Sequence, residues 1–196
     1  MTRPLLAVAV ALVLAGCGAP SARDFGQAHA PVCEYRGRPG TPVMVLEAQA
    51  VPTASLLPCV ELLPSGWSLS SAGLLLRNGE ARFALDSDRV GGRAVTVVLQ
   101  AGCNVAGATR VPSDESGARR YQRIDTVQPK RFTGEQLYVF PGGCVTYRYD
   151  FGGDTHAVPI AEVTQALGFV PRDEIRKAVS DFTRGRYQLD PPSGGG

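Results

Sequence analysis

Apolar residues fall at every second position through the middle of the chain and at every third or fourth position near its end. This change of period separates a sheet-forming part from a helical part. In residues 80–85, Phe83 and Leu85 alternate with Arg82 and Ala84, and Asn78-Gly79 links this stretch to residues 73–77. Both linking residues tolerate positive φ, so the pattern predicts a tight hairpin. Residues 93–100 carry Val95, Val97, Val98 and Leu99 and predict a central strand, apolar on both faces. A polar break over residues 104–117 precedes a predicted strand over 120–127. Residues 136–140 and 144–151 predict a second hairpin around Pro141-Gly142-Gly143.

The helical part starts with Ile160, Val163 and Leu167, spaced for one helix face up to Gly168. Ile175, Val179 and Phe182 repeat the spacing up to Gly185. Pro171, Asp173 and Glu174 suit the start of that second helix, and Arg184 and Arg186 its negative end. Nearer the beginning, residues 43–50 fit a strand or a short helix. Pro58 fits the first position of a short helix through Leu63, where its missing amide is unneeded, with Pro64 ending it. Strands followed by helices predict an α+β domain, an antiparallel sheet of about five to seven strands with two C-terminal helices on one face.

A different apolar run opens the chain. It follows Arg3, covers residues 5–15 and is about half the length of a spanning helix, so it predicts a cleaved export leader. The run closes on Leu14-Ala15-Gly16-Cys17. Small residues there let a peptidase close around the backbone, and a cysteine at the new amino terminus offers an acceptor thiol. These four residues resemble the lipobox of bacterial lipoproteins. The resemblance covers the first 17 residues and implies cleavage before Cys17, lipidation of its sulfur and retention on the outer face of a cell membrane. At roughly 0.8 kcal/mol per buried methylene, two or more acyl chains anchor a protein stably. The expected organisation is a leader over 1–16, a lipid anchor and tether over 17–31, one extracytoplasmic domain over 32–190 and a tail over 191–196.

Export changes the reading of the other cysteines. Cys33, Cys59, Cys103 and Cys144 form an even set in an oxidising compartment and predict two disulfides. Cys103 ends one predicted strand and Cys144 begins another. Antiparallel pairing would bring them together and leave Cys33 with Cys59. None of the cysteines has Cys-x-x-Cys spacing, and His29 and His156 are far apart, so neither a metal nor another cofactor is expected. Losing Arg3 with the leader reduces the 20 basic residues to 19 against 18 acidic ones. Such a near-neutral chain gives no reason to expect nucleic acid as a partner.

Candidate chemistry is sparse. No Gly-x-Ser-x-Gly elbow, Gly-x-x-x-x-Gly-Lys loop or His-Glu-x-x-His helix occurs. His156 with Asp154 reads as a surface turn. Asp86 and Asp88 begin like a calcium loop, but Val90 and Val97 stand at later ligand positions. Trp67 reads as a packing residue. The segment carrying Arg119, Arg120, Arg123, Lys130 and Arg131, with Tyr121 among them and only Asp125 opposing, is the one basic concentration. Guanidiniums along a strand edge would hold phosphate or carboxylate on a lipid headgroup, envelope polymer or partner protein. The same charges would also guard an edge strand against association. As a ligand edge, it would lose binding without losing stability when Arg120 and Arg123 are reversed to Glu. The expected function is a membrane-anchored binding or interaction module of the cell envelope. The alternatives are an accessory subunit of an envelope enzyme or transporter, or a hydrolase with scattered catalytic residues.

Overall fold

Residues 91–100, the richest in branched side chains, need cover on both faces and both edges, and the fold supplies it. The computed structural model describes residues 31–33, 42–77, 79–153 and 156–189. Cys17, the leader, most of the tether, Asn78, Asp154 and the tail lie outside the described residues. The elements are α1 Pro42–Ala50, β1 Leu56–Val60, β2 Trp67–Leu69, β3 Leu75–Arg77, β4 Glu80–Ser87 and β5 Gly91–Gln100. They continue as β6 Thr109–Val111, β7 Arg119–Gln128, β8 Arg131–Phe140, β9 Gly143–Gly152, α2 Ala157–Ala166, β10 Leu167–Pro171 and α3 Arg172–Thr183. Eight strands form an antiparallel sheet in the order β2-β4-β5-β9-β8-β7-β6, with β3 also on β4, while β1 and β10 pair separately.

Register puts Phe83, Val97, Tyr147 and Gln136 side by side across β4, β5, β9 and β8. Side chains alternate along a strand, so these residues share one face with Leu85, Val95, Tyr149 and Tyr138. That face packs into a single core with Met44 of α1, Leu57 of β1, Val163 of α2 and Ile175 of α3. Phe169 of β10 is the plug: its ring lies 5.1 Å from Tyr138 and 6.4 Å from Tyr147. Each such buried aromatic or aliphatic side chain contributes about 1.5–3 kcal/mol. On the opposite face Val98, Leu137, Cys144 and Thr146 are buried as well. There the connection from β5 to β6 runs from β9 to β7, held by the Cys103–Cys144 disulfide and by an Arg123 hydrogen bond to the Ala106 carbonyl at 3.2 Å.

The fold is α+β, with differences from the sequence expectation. Among the described residues the main sheet has eight strands rather than five to seven, because β2, β3 and β6 are only three residues long, and β1 and β10 form a second sheet. Residues 58–63 contain no helix: Pro58 lies in β1. The Val60 amide donates to Pro31, so the Pro58 nitrogen two residues earlier faces the same way, away from β10, and no ladder donor is lost. Residues 43–50 resolve as helix α1, giving three helices. Leu167 and Gly168 leave the helical period and enter β10, where Gly168 lies directly against the Glu61 carboxylate. Both C-terminal helices pack on β10 of the small sheet, and α3 also packs on α1. β8 starts at Arg131, five residues before the predicted start. Both disulfides join the expected partners: Cys33–Cys59 and Cys103–Cys144 have Cα separations of 5.0 and 5.7 Å.

Glu47 of α1 is fully buried, and neither carboxyl oxygen has a hydrogen-bond partner. Burial pushes its pKa well above the ordinary carboxylate range, so the folded chain keeps a proton that the unfolded chain releases. The contribution of this group to stability is therefore greatest below the ordinary carboxylate range and declines as pH rises through it. Glu47→Met keeps the length and removes the acid. It should raise unfolding free energy at both pH values, and by on the order of 1–3 kcal/mol more at pH 8 than at pH 5, as read from urea midpoints. Equal stability changes at the two pH values would contradict this assignment.

Candidate functional site

Alternation along β7 divides its arginines. Arg119, Tyr121 and Arg123 point to one face, and Arg120 to the face shared with the aromatic core. Arg120 stands opposite Tyr138 in the ladder. Its Nη1 donates to Asp114 Oδ2 at 2.9 Å, and the Tyr138 hydroxyl donates to Asp114 Oδ1 at 3.0 Å. One carboxylate thus clamps a guanidinium and a phenol at the core margin. Burial pushes the Tyr138 phenol up to about 12. Tyr149, further in, is also raised by burial, and its hydroxyl donates to Gln136 Oε1 at 2.9 Å.

Arg123 is equally committed. It lies opposite Glu135, which lies opposite Arg148, forming a charged ladder across β7, β8 and β9. Arg123 Nη2 donates to Glu135 Oε2 at 2.5 Å, and Arg148 Nε lies 3.2 Å from Glu135 Oε1. Asp125 approaches Arg123 at 3.5 Å, and Arg131 pairs with Asp150 at 3.7 Å. Lys130 occupies the turn into β8 with φ +67, roughly 35 Å along the strand from Arg119. The five cations do not converge, and Asp114, Glu135 and Asp150, all outside residues 119–131 except Glu135 and Asp150 lying beyond and Asp114 before that segment, neutralise three of them. Arg120, Arg123 and Arg131 are thus each held in an ion pair within the fold.

What the hairpin does bring together is Arg119 with Arg110. Arg110 of β6 is opposite Tyr121, so Arg119 is its diagonal neighbour on the same face, about 7–8 Å away. With Val111, Pro112, Ser113, Ala118 and Arg120 they line an open groove of about 330 Å³. Arg110 and Arg119 are exposed and form no ion pair among the described residues. Arg110 was not anticipated because three-residue β6 lies inside a polar break. Its signal was the short alternation Thr109-Arg110-Val111 between Gly107 and Pro112. The other flank of the 112–118 loop is acidic: Asp114 and Glu115 meet Glu61 in a cleft with Tyr138, Thr164 and Phe169. Burial, then Asp114 and Glu61, raise the Glu115 pKa.

The remaining candidates have structural partners. Asp86 Oδ1 accepts the Arg93 amide at 2.6 Å and closes the β4–β5 turn. No cluster of three or more His, Cys, Asp or Glu side chains suited to a metal occurs among the described residues. The His156 ring stacks on Phe132, with centroids 4.4 Å apart and planes within 4°. Trp67 is buried edge-on to Phe151, and its Nε1 donates to Glu162 at 2.9 Å. Arg89 and then Trp67 hold the Glu162 carboxyl below its ordinary range. Comparison with protein families, curated proteins and solved structures finds no match to this chain.

Reversing Arg120 and Arg123 together sets two glutamates against Asp114 and Glu135 in partly buried positions. The double variant should lose about 2–4 kcal/mol of stability, a fall in melting temperature on the order of 5–15 °C. Thermal unfolding followed by circular dichroism checks this, and an unchanged midpoint would show that the two ion pairs contribute nothing.

Proposed function

We propose that the chain is a lipid-anchored, extracytoplasmic bacterial lipoprotein whose domain binds an anionic component of the cell envelope through the β6–β7 hairpin. The observation carrying the binding reading is the exposed pair Arg110 and Arg119 beside Tyr121, uncompensated in a region whose other arginines are ion-paired. Two adjacent guanidiniums over an open groove suit phosphate or carboxylate groups repeated along a polymer or an acidic protein segment. The anchor reading rests on Leu14-Ala15-Gly16-Cys17, and two disulfides suit an oxidising compartment. No helix among the described residues is long and apolar enough to cross a membrane.

Two outcomes test the reading separately. Cys17→Ala should move the protein out of the membrane fraction or leave an uncleaved precursor, and mass spectrometry of the wild type should find acyl chains on Cys17. An unmodified amino terminus elsewhere would remove the anchor. Arg110→Glu with Arg119→Glu should weaken retention of poly(glycerol phosphate) or polyglutamate about tenfold or more, leave the melting temperature unchanged, and abolish the salt dependence of wild-type binding. Retention of both polymers, and of crosslinked partners in intact cells, by this variant would end the binding role of the hairpin.

A further inference from the structure

The apolar stripe of α3 runs off the domain. Ile175 is fully buried and Val179 partly so, but Phe182, next on the same face, is 70% exposed, and Tyr187 just beyond the helix is 71% exposed. These rings sit on a well-ordered cap. Arg184 takes the left-handed conformation at φ +53, and its amide and that of Gly185 return to the carbonyls of Asp181 and Ser180 at 3.2 and 2.8 Å. The Thr183 hydroxyl accepts the Tyr187 amide at 3.1 Å, and Leu189 tucks the following chain back into the core. Local hydrogen bonds thus hold two aromatic rings outward, largely uncovered by the described residues. Charge around them is mostly positive: Lys177, Arg184 and Arg186 outnumber Asp181, while Arg176 is paired with Asp173 at 3.0 Å.

We propose that this cap, Phe182, Arg184, Arg186 and Tyr187, is a second membrane contact that seats the domain on an anionic phospholipid surface. Guanidiniums pair with headgroup phosphates while the rings enter the boundary between headgroups and acyl chains. A purely apolar protein groove would leave both adjacent arginines without partners, so charge complementarity selects the lipid surface. In one respect the inference rests on the lipoprotein reading. Only 14 residues separate Cys17 from Val32, so an anchor at Cys17 would hold the domain within about 50 Å of the surface, where a weak contact is favoured by high effective concentration.

The test uses the mature chain from residue 17 carrying Cys17→Ala, so its result does not depend on whether Cys17 is acylated. The protein should cosediment with vesicles of equal parts phosphatidylglycerol and phosphatidylcholine, but not with phosphatidylcholine alone. Phe182→Ala with Tyr187→Ala, and separately Arg184→Glu with Arg186→Glu, should each reduce binding about tenfold or more, whereas Arg77→Glu at the exposed β3 should leave it intact. Phe182→Trp should show a blue-shifted emission when anionic vesicles are added. Absence of wild-type binding, equal binding to neutral vesicles, or binding indifferent to both cap variants would overturn the proposal. So would a dimer in sedimentation equilibrium that the cap variants dissolve.

Discussion

Register among β7, β8 and β9 is the constraint on which the rest of the molecule depends. Side chains alternate with a period of two, so a slip of one residue would send Tyr138 and Tyr147 to the opposite face and bring Glu135 and Arg148 against Phe169. Two close approaches pin it. Pro141-Gly142 forms the two-residue turn between Phe140 and Gly143, with Gly142 at φ +72 and so near the Thr53 carbonyl that a Cβ would clash. Gly134 lies against the Arg123 carbonyl beside the irregularity between Ile124 and Thr126. With register set, the aromatic face is ready for β10, and the polar face aligns its alternating charges without further adjustment.

Long alternation was legible in the sequence, as was the pairing of Cys103 with Cys144, although Cys103 lies three residues beyond the end of β5. β4, β5, β7 and β9 are each long enough to show several periods, so local pattern and tertiary environment agree. Short strands show no such period. β6 and β2 are strands only because a neighbour supplies the ladder, and β10 continues a helical spacing that the approach of β1 overrides. The ion-pair partners of the basic segment were hidden for a related reason. Counting charges along residues 119–131 sees Asp125 only, whereas Asp114, Glu135 and Asp150 arrive through the fold. Arg110 became a neighbour of Arg119 by that same route.

The 112–118 loop deserves its place at the centre of the charge map. One side carries the arginine groove, the other the acidic cleft, and Asp114 joins them by holding both Arg120 and Tyr138. Fixing that carboxylate between a guanidinium and a phenol prevents the loop's own charge from cancelling Arg110 and Arg119. Opposite potentials a few ångströms apart on one loop favour a partner that presents its charge in a defined orientation, more than one that is merely anionic.

The Cys33–Cys59 bond has a mechanical consequence. A pull arriving from the amino-terminal side of Cys33 passes through sulfur into β1 at its penultimate residue and does not travel along residues 34–58. α1 is thereby removed from the line of tension. The load falls instead on the β1–β10 ladder, five residue pairs long and sheared along its length, backed by Phe169 wedged into the tyrosines of the main sheet. Antiparallel strands loaded in this way must break their hydrogen bonds together rather than one at a time, so the domain resists extension at the point where a tether would tug on it.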